Sequence, residues 1–372
     1  MDSSSMIIRD EDFQKTMAQV VEPYLAARRT DCFLQREQGK KLYCVFYEAQ
    51  IATIVDGEAS GYDQTVFESS GQSMSDKEEM RNHASRSVGQ PKGIMIVSHG
   101  FTETAEKFYE VIYYFLRAGY HVAALDHHGH GHSYRLTDKD LFLVHTDGYW
   151  RYLADLEFLT DRAKERWPQL PVYLYAHSMG GGMGAALAAK KPQLYDKVIL
   201  TSPMIKPLTA GIPWGVTKVI AYFFCGIGKG EDYVLGQRPF VPNSETFENS
   251  ASASRERFAY YQHKREGNLL YQMSAPSYAW FREAIRLNHF LMTDGVKQLS
   301  APLLLFQSEE DSFVSREEQV AFIDKINEYR KIAGNPAPAR LAPVPKTRHE
   351  IYNSGEKVWE FYWMEMEHFL ME

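Results

Sequence analysis

The chain has 372 residues, 44% of them hydrophobic, and its 41 basic and 48 acidic side chains give a net charge of −7. This length and composition allow one large α/β domain with an inserted subdomain, or two domains. The acidic balance, without any block of basic residues, indicates that nucleic acid is not a partner.

The cysteine content and the N-terminal residues favour a cytoplasmic protein. Cys32, Cys44 and Cys225 are widely spaced and form no C-x-x-C pair, which argues against a disulfide framework or a zinc knuckle. No signal peptide is predicted at the N-terminus. The most apolar segment, Gly211 to Gly228, is interrupted by Lys218 and favours a flap in transient contact with a membrane surface over a transmembrane span.

The N-terminal third of the chain predicts an edge of a sheet followed by an insertion. Asp12 to Arg28 has helical spacing, and Cys32 to Tyr47 alternates around Gln38-Gly39-Lys40, which predicts a hairpin at the antiparallel edge of a larger sheet. Asp56 to Gln90 is polar and poor in apolar residues, and it predicts a long, mobile surface insertion.

The next segments alternate between apolar runs and amphipathic runs. Strands are predicted at Gly93 to Ser98, His121 to Asp126, Val172 to Ala176 and Lys197 to Thr201, and helices at Ala105 to Ala118, Gly148 to Trp167 and Met183 to Ala189. This alternation predicts a parallel sheet that is covered by helices on both faces.

The alternation stops at Met204 and resumes near residue 294. Between these points lie aromatic-rich helical segments, Trp214 to Cys225, Arg255 to Lys264 and Tyr278 to Phe290, which predict an inserted helical cap. Strands at Pro302 to Gln307 and Arg340 to Val344, with helices at Arg316 to Lys331 and Glu356 to Met371, complete the sheet. We therefore divide the chain into a first part of the core (1–203, with the polar insertion 56–90), a cap (204–293) and a second part of the core (294–372).

The segment Pro171 to Gly184 places Ser178 at a sharp turn from a strand into a helix. Its sequence, Ala176-His177-Ser178-Met179-Gly180, fits the nucleophile elbow G-x-S-x-G with alanine as the first small residue. Two alternatives remain at this point. Gly180-x-Gly182-x-x-Ala185 also fits a dinucleotide fingerprint, although no acid follows about 20 residues later, and the turn could carry no chemistry.

A serine nucleophile needs a base and an orienting acid, which follow it in the order acid, then histidine, in this class of site. Ser308 to Val314 contains three acids, Glu309, Glu310 and Asp311, directly after a late strand. His349 follows the last strand. Both positions suit a catalytic triad with Ser178.

The backbone is expected to supply the oxyanion hole. One N–H is that of Met179, directly after the serine, and the second is that of Phe101, which follows the early strand in Ser98-His99-Gly100-Phe101. Asp126 to Ser133 holds four histidines but lacks metal-ligand spacing, and we interpret it as a hydrogen-bonded turn at the floor of the site. No metal and no cofactor is expected.

Five motifs together resemble the lysophospholipase and monoacylglycerol lipase group of serine α/β-hydrolases. They are S-H-G-F-T-E (98–103), D-H-H-G-H-G-H-S (126–133), A-H-S-M-G-G (176–181), E-D-S-F-V (310–314) and R-H-E-I (348–351). The resemblance runs from about Ile94 to the C-terminus. It implies an α/β-hydrolase fold, a mostly parallel central sheet with helices on both faces and an inserted helical cap.

The resemblance also implies a role for each site residue. Ser178 would be the nucleophile, Asp311 the orienting acid and His349 the base, with the Phe101 and Met179 amides as oxyanion donors. The chain departs from the family by having alanine at 176, histidine at 128 and glutamate at 309, where glycine, arginine and glycine are usual.

The sequence thus predicts a serine ester hydrolase that forms an acyl-enzyme and acts on a lysophospholipid or a monoacylglycerol. The alternatives within enzymes are a non-lipid carboxylesterase and a proline-iminopeptidase-like amidase, because a triad defines the chemistry without defining the leaving group. An alternative of another class is a non-catalytic binding protein with the hydrolase fold.

Overall fold

An eight-stranded sheet forms the centre of the molecule in the computed structural model, which describes residues 6–50, 54–55, 58–59, 90–337 and 339–372. Its strands, β1 to β8, are Arg29–Glu37, Lys40–Tyr47, Gly93–Ser98, Tyr120–Leu125, Val172–His177, Lys197–Thr201, Leu303–Glu310 and Ala339–Arg348. Their order across the sheet is β1-β2-β4-β3-β5-β6-β7-β8. The strands from β4 to β8 in that order are all parallel to their neighbours.

The antiparallel edge is the hairpin that the sequence predicts. Strand β2 pairs antiparallel with both β1 and β4, and the turn between β1 and β2 contains Gly39 in the left-handed region, at φ +76°. Glycine suits this turn because it adopts a positive φ without steric cost. The β1 strand has no neighbour on its outer side within the described sheet.

Helices cover both faces of the sheet. Those of nine or more residues among the described residues, α1 to α8, are Tyr109–Arg117, Trp150–Arg166, Ser178–Lys190, Trp214–Gly226, Arg255–Gly267, Tyr278–Phe290, Arg316–Ala333 and Glu356–Met371. The N-terminal helical segment comprises Asp10–Asp12, Phe13–Thr16, Met17–Val21 and Glu22–Ala26.

Successive strand residues point to opposite faces and so feed two hydrophobic cores. In β3, Ile94 and Ile96 pack in one core with α2, α3 and α7, while Met95 and Val97 pack in the other with α1, α8 and the N-terminal segment. Strand β3 is buried along its whole length, which is why its sequence is an unbroken apolar run. The parallel sheet with helices on both faces is confirmed.

Helices α4, α5 and α6 lie where the sequence predicts aromatic-rich helical segments. Helix α6 contributes Trp280 and Leu287 to the core that also contains α3. Residues 143–144 and 275–276 form a short parallel pair that joins the segment before α6 to the loop before α2. The division of the chain into core and cap at 203 and 293 remains a proposal.

Two strands are longer than their apolar runs predict. Strand β7 continues to Glu310, and β8 extends from Ala339 to Arg348 as an edge strand with one neighbour. Edge strands keep exposed residues, so their apolar pattern understates their length. The predicted insertion Asp56 to Gln90 lies outside the described residues except for 58–59, which pair with 54–55, and Gln90. Within the described part of the chain, no helix is long and apolar enough to cross a membrane.

Candidate active site

Ser178 lies at the junction of β5 and α3, in a backbone conformation that few side chains adopt. Its φ is +50°, in the left-handed region, and its side chain lines a cavity. Small neighbours make this turn possible. A Cβ atom on Gly180 would lie 2.4 Å from the His99 carbonyl oxygen and 2.5 Å from Ser98 Oγ, which is closer than real Cβ atoms approach.

Ala176, where the related family usually has glycine, is fully buried beside a second glycine. A Cβ on Gly184 would lie 3.3 Å from the Ala176 methyl group and 2.7 Å from Leu174 Cδ2. Because residue 184 has no side chain, there is room for the methyl group of Ala176. The alanine is therefore compatible with a tight turn.

Ser178, His349 and Asp311 form one chain of hydrogen bonds. His349 Nε2 lies 2.7 Å from Ser178 Oγ, and His349 Nδ1 lies 2.8 Å from Asp311 Oδ2. An ionised carboxylate only accepts hydrogen bonds, so Nδ1 carries the proton and the lone pair of Nε2 faces the serine hydroxyl. Of the three consecutive acids at the end of β7, Glu309, Glu310 and Asp311, the structure brings Asp311, the first residue after the strand, to the histidine.

The Asp311 carboxylate is held by three further donors. The backbone N–H groups of Phe313 and Val314 donate to Oδ1 at 2.9 and 3.0 Å, and Ser308 Oγ donates to Oδ2 at 2.9 Å. Burial favours the neutral acid, but interactions with His349 and these N–H groups outweigh it, so the pKa of Asp311 lies below its usual value. Asp311 is thus suited to remain ionised beside the histidine.

Glu309, where the related family usually has glycine, connects the segments that carry Asp311 and His349. Its carboxylate accepts the backbone N–H of Lys346 at 2.7 Å, and Lys346 itself has a φ of +58°. Its own N–H donates to Thr347 Oγ1 at 3.4 Å. Glu309 therefore links the end of β7 to the end of β8, next to the loop that carries His349.

The loop before Phe101 is held by buried side chains. The N–H of Gly100 donates to Glu103 Oε2 at 2.6 Å, and His99 Nδ1 donates to the Gly100 carbonyl at 2.7 Å. Phe101 and Ser178 both line the cavity, and the Phe101 ring packs 4.5 Å from that of Trp280. The structure thus brings Phe101, Met179 and Ser178 to the same end of the sheet, after β3 and β5.

The histidine-rich loop supports this region through hydrogen bonds. His127 donates its backbone N–H to His99 Nε2 at 2.9 Å, and its ring Nε2 lies 2.8 Å from Ser98 Oγ. Burial, together with the neighbouring His99, holds the pKa of His127 and His130 well below the usual value, so both are neutral. Among the described residues, no three histidine, cysteine or acidic side chains are grouped to hold a metal.

A buried charged cluster beside Ser178 is not predicted from the sequence. Lys107 Nζ lies 3.0 Å from Glu103 and 2.5 Å from Glu350, and Tyr352 donates to Glu103 at 2.6 Å. Burial opposes the charge on Lys107, but the two carboxylates outweigh it and its pKa lies above its usual value. Glu103 lies two residues before the helical turn Ala105–Phe108 that contains Lys107, and their closeness in sequence is the only sequence signal for this cluster.

A cavity of about 470 Å³ opens above Ser178 and His349. Its apolar lining includes Leu208, Ile212, Ile220, Ala221 and Phe281, mainly from α4 and the segment before it. Its polar lining includes Glu103, Lys107, Glu245, Tyr261, Arg265 and Glu350. The two linings give the cavity room for a molecule with one apolar and one polar part.

A sheet of this order, with a serine at the sharp β5–α3 turn, defines an α/β-hydrolase. Residues 89–353 match the family model described as serine aminopeptidase, S33, and the chain belongs to that family. The protein is therefore a serine hydrolase, and the alternative of a non-catalytic binding protein is not supported.

The relatives of the chain include lipid hydrolases. It is 25% identical over 264 residues to lysophospholipase L2 of Escherichia coli K12, covering 69% of this chain and 74% of that protein. It is 26% identical over 268 residues to a monoacylglycerol lipase of Mycolicibacterium smegmatis, covering 72% and 84%.

The fold is similar to that of a solved enzyme. A thermostable carboxyl esterase from Bacillus coagulans, solved with glycerol, superposes with a TM-score of 0.65 at 17% identity, covering 92% of this chain and 98% of that one. This similarity confirms the fold.

Proposed function

We propose that the protein hydrolyses the ester bond of a monoacylglycerol-type lipid through an acyl-enzyme on Ser178. The observation that carries the proposal is the chain of hydrogen bonds from Ser178 through His349 to Asp311, which opens into a cavity with apolar and polar linings. The lipid-hydrolase names of the two relatives support a lipid ester as the substrate.

In the proposed mechanism, His349 Nε2 accepts the proton of the Ser178 hydroxyl as its oxygen attacks the ester carbonyl. The same proton then passes to the leaving alcohol as the ester bond breaks. Water, deprotonated by His349, attacks the acyl-enzyme and releases the fatty acid. Asp311 keeps the imidazole in the required tautomer and stabilises its charged form.

The N–H groups of Phe101 and Met179 are proposed to hold the oxyanion of both tetrahedral intermediates. Loss of one such donor costs about 10²- to 10³-fold in rate in comparable enzymes. The support for Phe101 is the hydrogen-bonded loop before it, which keeps its backbone in place while the negative charge develops.

The charges of the polar lining favour an uncharged alcohol over a phosphate-bearing head group. Both cations of that lining are paired, Lys107 with Glu103 and Glu350, and Arg265 with Glu245 at 2.6 Å. A phosphate would add negative charge beside three carboxylates. It would also have to compete with those carboxylates for the two cationic side chains. We therefore favour a monoacylglycerol over a lysophospholipid as the substrate.

Labelling with a fluorophosphonate probe tests the nucleophile. The wild-type protein should be labelled, and Ser178→Ala should not, while the exposed Ser300→Ala serves as the matched control and should be labelled like the wild type. Labelling of Ser178→Ala would refute the assignment of Ser178.

A substrate series tests the leaving group. Hydrolysis of a monoacylglycerol, a lysophosphatidylcholine and a lysophosphatidic acid with the same acyl chain should be fastest for the first and slowest for the last. An aminoacyl anilide tests the amidase alternative, which the description of the family also suggests. Preferential cleavage of the anilide would replace the lipid assignment.

Contact with a lipid surface is a second part of the proposal. Helix α4 exposes Val216, Val219 and Phe223 at helical spacing, and Val219 and Phe223 are 68% and 58% exposed without lining the cavity. An exposed apolar stripe next to a lipid-binding cavity suits shallow insertion into a membrane surface.

Vesicle co-sedimentation tests this contact. Binding to phosphatidylcholine vesicles should fall about tenfold for Val219→Glu, because a charge replaces an exposed apolar side chain that would insert into the lipid surface. Ile332→Glu, at a site 76% exposed in α7, is the matched control and should bind like the wild type. Equal binding of all three proteins would exclude α4 as the contact.

A cytoplasmic location is also proposed. The three free cysteines support it, because thiols persist in reducing compartments. Fractionation of the native host cells would test it, and recovery from the medium would contradict it.

A further inference from the structure

Cys32 and Cys44 lie directly opposite each other across the antiparallel pair β1–β2. They are Cα partners in the register, as are Leu34 and Leu42 two positions further along, and both cysteines are free. All four side chains pack on the same core, so the two thiol groups are on the same face of the hairpin. The register therefore places the two sulfur atoms next to each other.

The geometry of an antiparallel pair suits a disulfide. Directly opposed residues have Cα atoms about 4.5 or 5.5 Å apart, depending on whether they exchange backbone hydrogen bonds. Disulfides join Cα atoms that are about 4.4 to 6.8 Å apart. Both pair types fall in this range, so a bond between Cys32 and Cys44 needs no large movement of the backbone.

The two thiols differ in the way that a reactive and a resolving cysteine differ. Cys32 is half-buried on the edge strand β1, whereas Cys44 is fully buried in β2. A hydrogen bond from the Cys44 thiol lowers the pKa of Cys32, and burial raises the pKa of Cys44. Cys32, the more accessible of the two, thus forms the thiolate more readily, and Cys44 remains a thiol beside it.

We propose that Cys32 and Cys44 are a redox-active dithiol that hydrogen peroxide closes to a reversible disulfide across the β1–β2 hairpin. The Cys32 thiolate attacks one peroxide oxygen, forming a sulfenic acid and releasing hydroxide. The Cys44 thiol then attacks that sulfur and releases water. In total, two thiols and one peroxide give one disulfide and two water molecules. Two molecules of a low-molecular-weight thiol then reduce the protein disulfide to two thiols and themselves form a disulfide.

Closure would stiffen strand β2, which is hydrogen-bonded to the histidine-rich loop that follows β4. Tyr43, next to Cys44, donates its N–H to Ser133 Oγ at 2.9 Å and accepts the N–H of Asp126 at 3.1 Å. A bond across the hairpin restricts the unfolded chain and fixes β2 to the edge strand. The oxidised protein should therefore unfold at a higher temperature than the reduced protein.

Peptide mapping tests the proposal on the full chain. The reduced protein is treated with hydrogen peroxide, the remaining thiols are alkylated, and a non-reducing digest is analysed by mass spectrometry. A linked Cys32–Cys44 peptide that has lost two hydrogen atoms, and that disappears after reduction, is the expected result. Cys225, in α4, is the internal control. It should remain a thiol during the peroxide treatment and should therefore be alkylated afterwards.

Two variants separate the steps. In Cys44→Ser, Cys32 should stop at a sulfenic acid that dimedone traps, and peroxide should no longer raise the unfolding temperature. In Cys32→Ser, a half-buried site, the buried Cys44 should remain a thiol. The opposite order of reactivity would overturn the dithiol assignment. This would be seen if a peroxide dose that oxidises Cys225 in the wild-type protein left both Cys32 and Cys44 open to alkylation, whatever the stability of the variants.

Discussion

At the scale of single residues, the backbone around Ser178 depends on the absence of side chains. Gly180 packs against Ser98 and His99, and Gly182 packs so closely that a Cβ there would lie 2.5 Å from the Met204 carbonyl oxygen. The contacts of Gly180 connect the start of α3 to the loop before Phe101, and those of Gly182 connect it to the segment after β6. The position of the serine and that of the proposed oxyanion donor are therefore set by the same close packing.

Gly180→Ala tests this packing. The added methyl group would overlap backbone atoms, so we expect the free energy of unfolding to fall by about 1 to 3 kcal/mol and esterase activity to fall with it. Gly215→Ala in α4 is the matched control, since a Cβ there meets nothing within 4 Å. It should raise stability by about 0.5 to 1 kcal/mol. Urea unfolding of both variants measures the difference, and equal stabilities would contradict it.

At the scale of elements, α5 is attached to the core by a buried ion pair. Arg257 donates to both oxygens of Glu110 in α1 at 2.8 and 2.7 Å, and it also bonds Asp10 and the Ile8 carbonyl of the N-terminal segment. The Arg257 side chain is fully buried. One side of the cavity, which α5 lines through Tyr261 and Arg265, is thereby fixed to the core.

Truncation of this arginine should loosen α5. Arg257→Ala would leave Glu110 buried without its charge partner, which costs about 3 to 5 kcal/mol of unfolding free energy in comparable cases. Arg255→Ala on the same helix is the matched control. Its ion pair with Glu248 is exposed, so the loss should be below about 1 kcal/mol. Thermal unfolding distinguishes the two variants, and similar losses would show that the buried pair does not anchor α5.

The elements differ in how far the sequence reveals them. Buried strands such as β3 are continuous apolar runs, and the elbow at Ser178 and the later positions of Asp311 and His349 follow from chain order. The pairing of Arg257 with Glu110 is invisible because the two residues are 147 positions apart and charged residues normally lie on the surface. The cluster of Lys107 and Glu350 is hidden for the same reason, since it depends on how distant segments pack.

At the scale of the whole molecule, the protein keeps many histidines buried. The pKa of six of them is lowered, and burial is the largest cause in each case. They are His99, His121, His127, His130, His145 and His177. For His177 the pKa falls from 6.5 to about 3. The folded protein keeps these rings neutral, whereas the unfolded chain takes up protons as the pH falls below 6.5. Stability is therefore lost as the medium becomes acidic.

His177→Gln measures one part of this acid sensitivity. Between about pH 6 and 4, the unfolded wild-type chain binds one proton more at this position than the folded chain, which lowers stability by about 1.4 kcal/mol per pH unit. The variant should lose stability less steeply over this interval. His289→Gln, at an exposed site, should follow the wild type. Urea unfolding across the pH range provides the measurement, and parallel curves for all three proteins would contradict the assignment.

The positive φ of Ser178 has a consequence for the evolution of the chain. A residue other than glycine in this conformation costs about 1 to 3 kcal/mol, and selection maintains such a cost only while the residue contributes to activity. Glycine at 178 would relieve the strain and abolish the hydroxyl group in one step. In a lineage that no longer needed the reaction, stability alone would favour that replacement, so the proposed role of Ser178 as nucleophile accounts for a serine in this strained conformation.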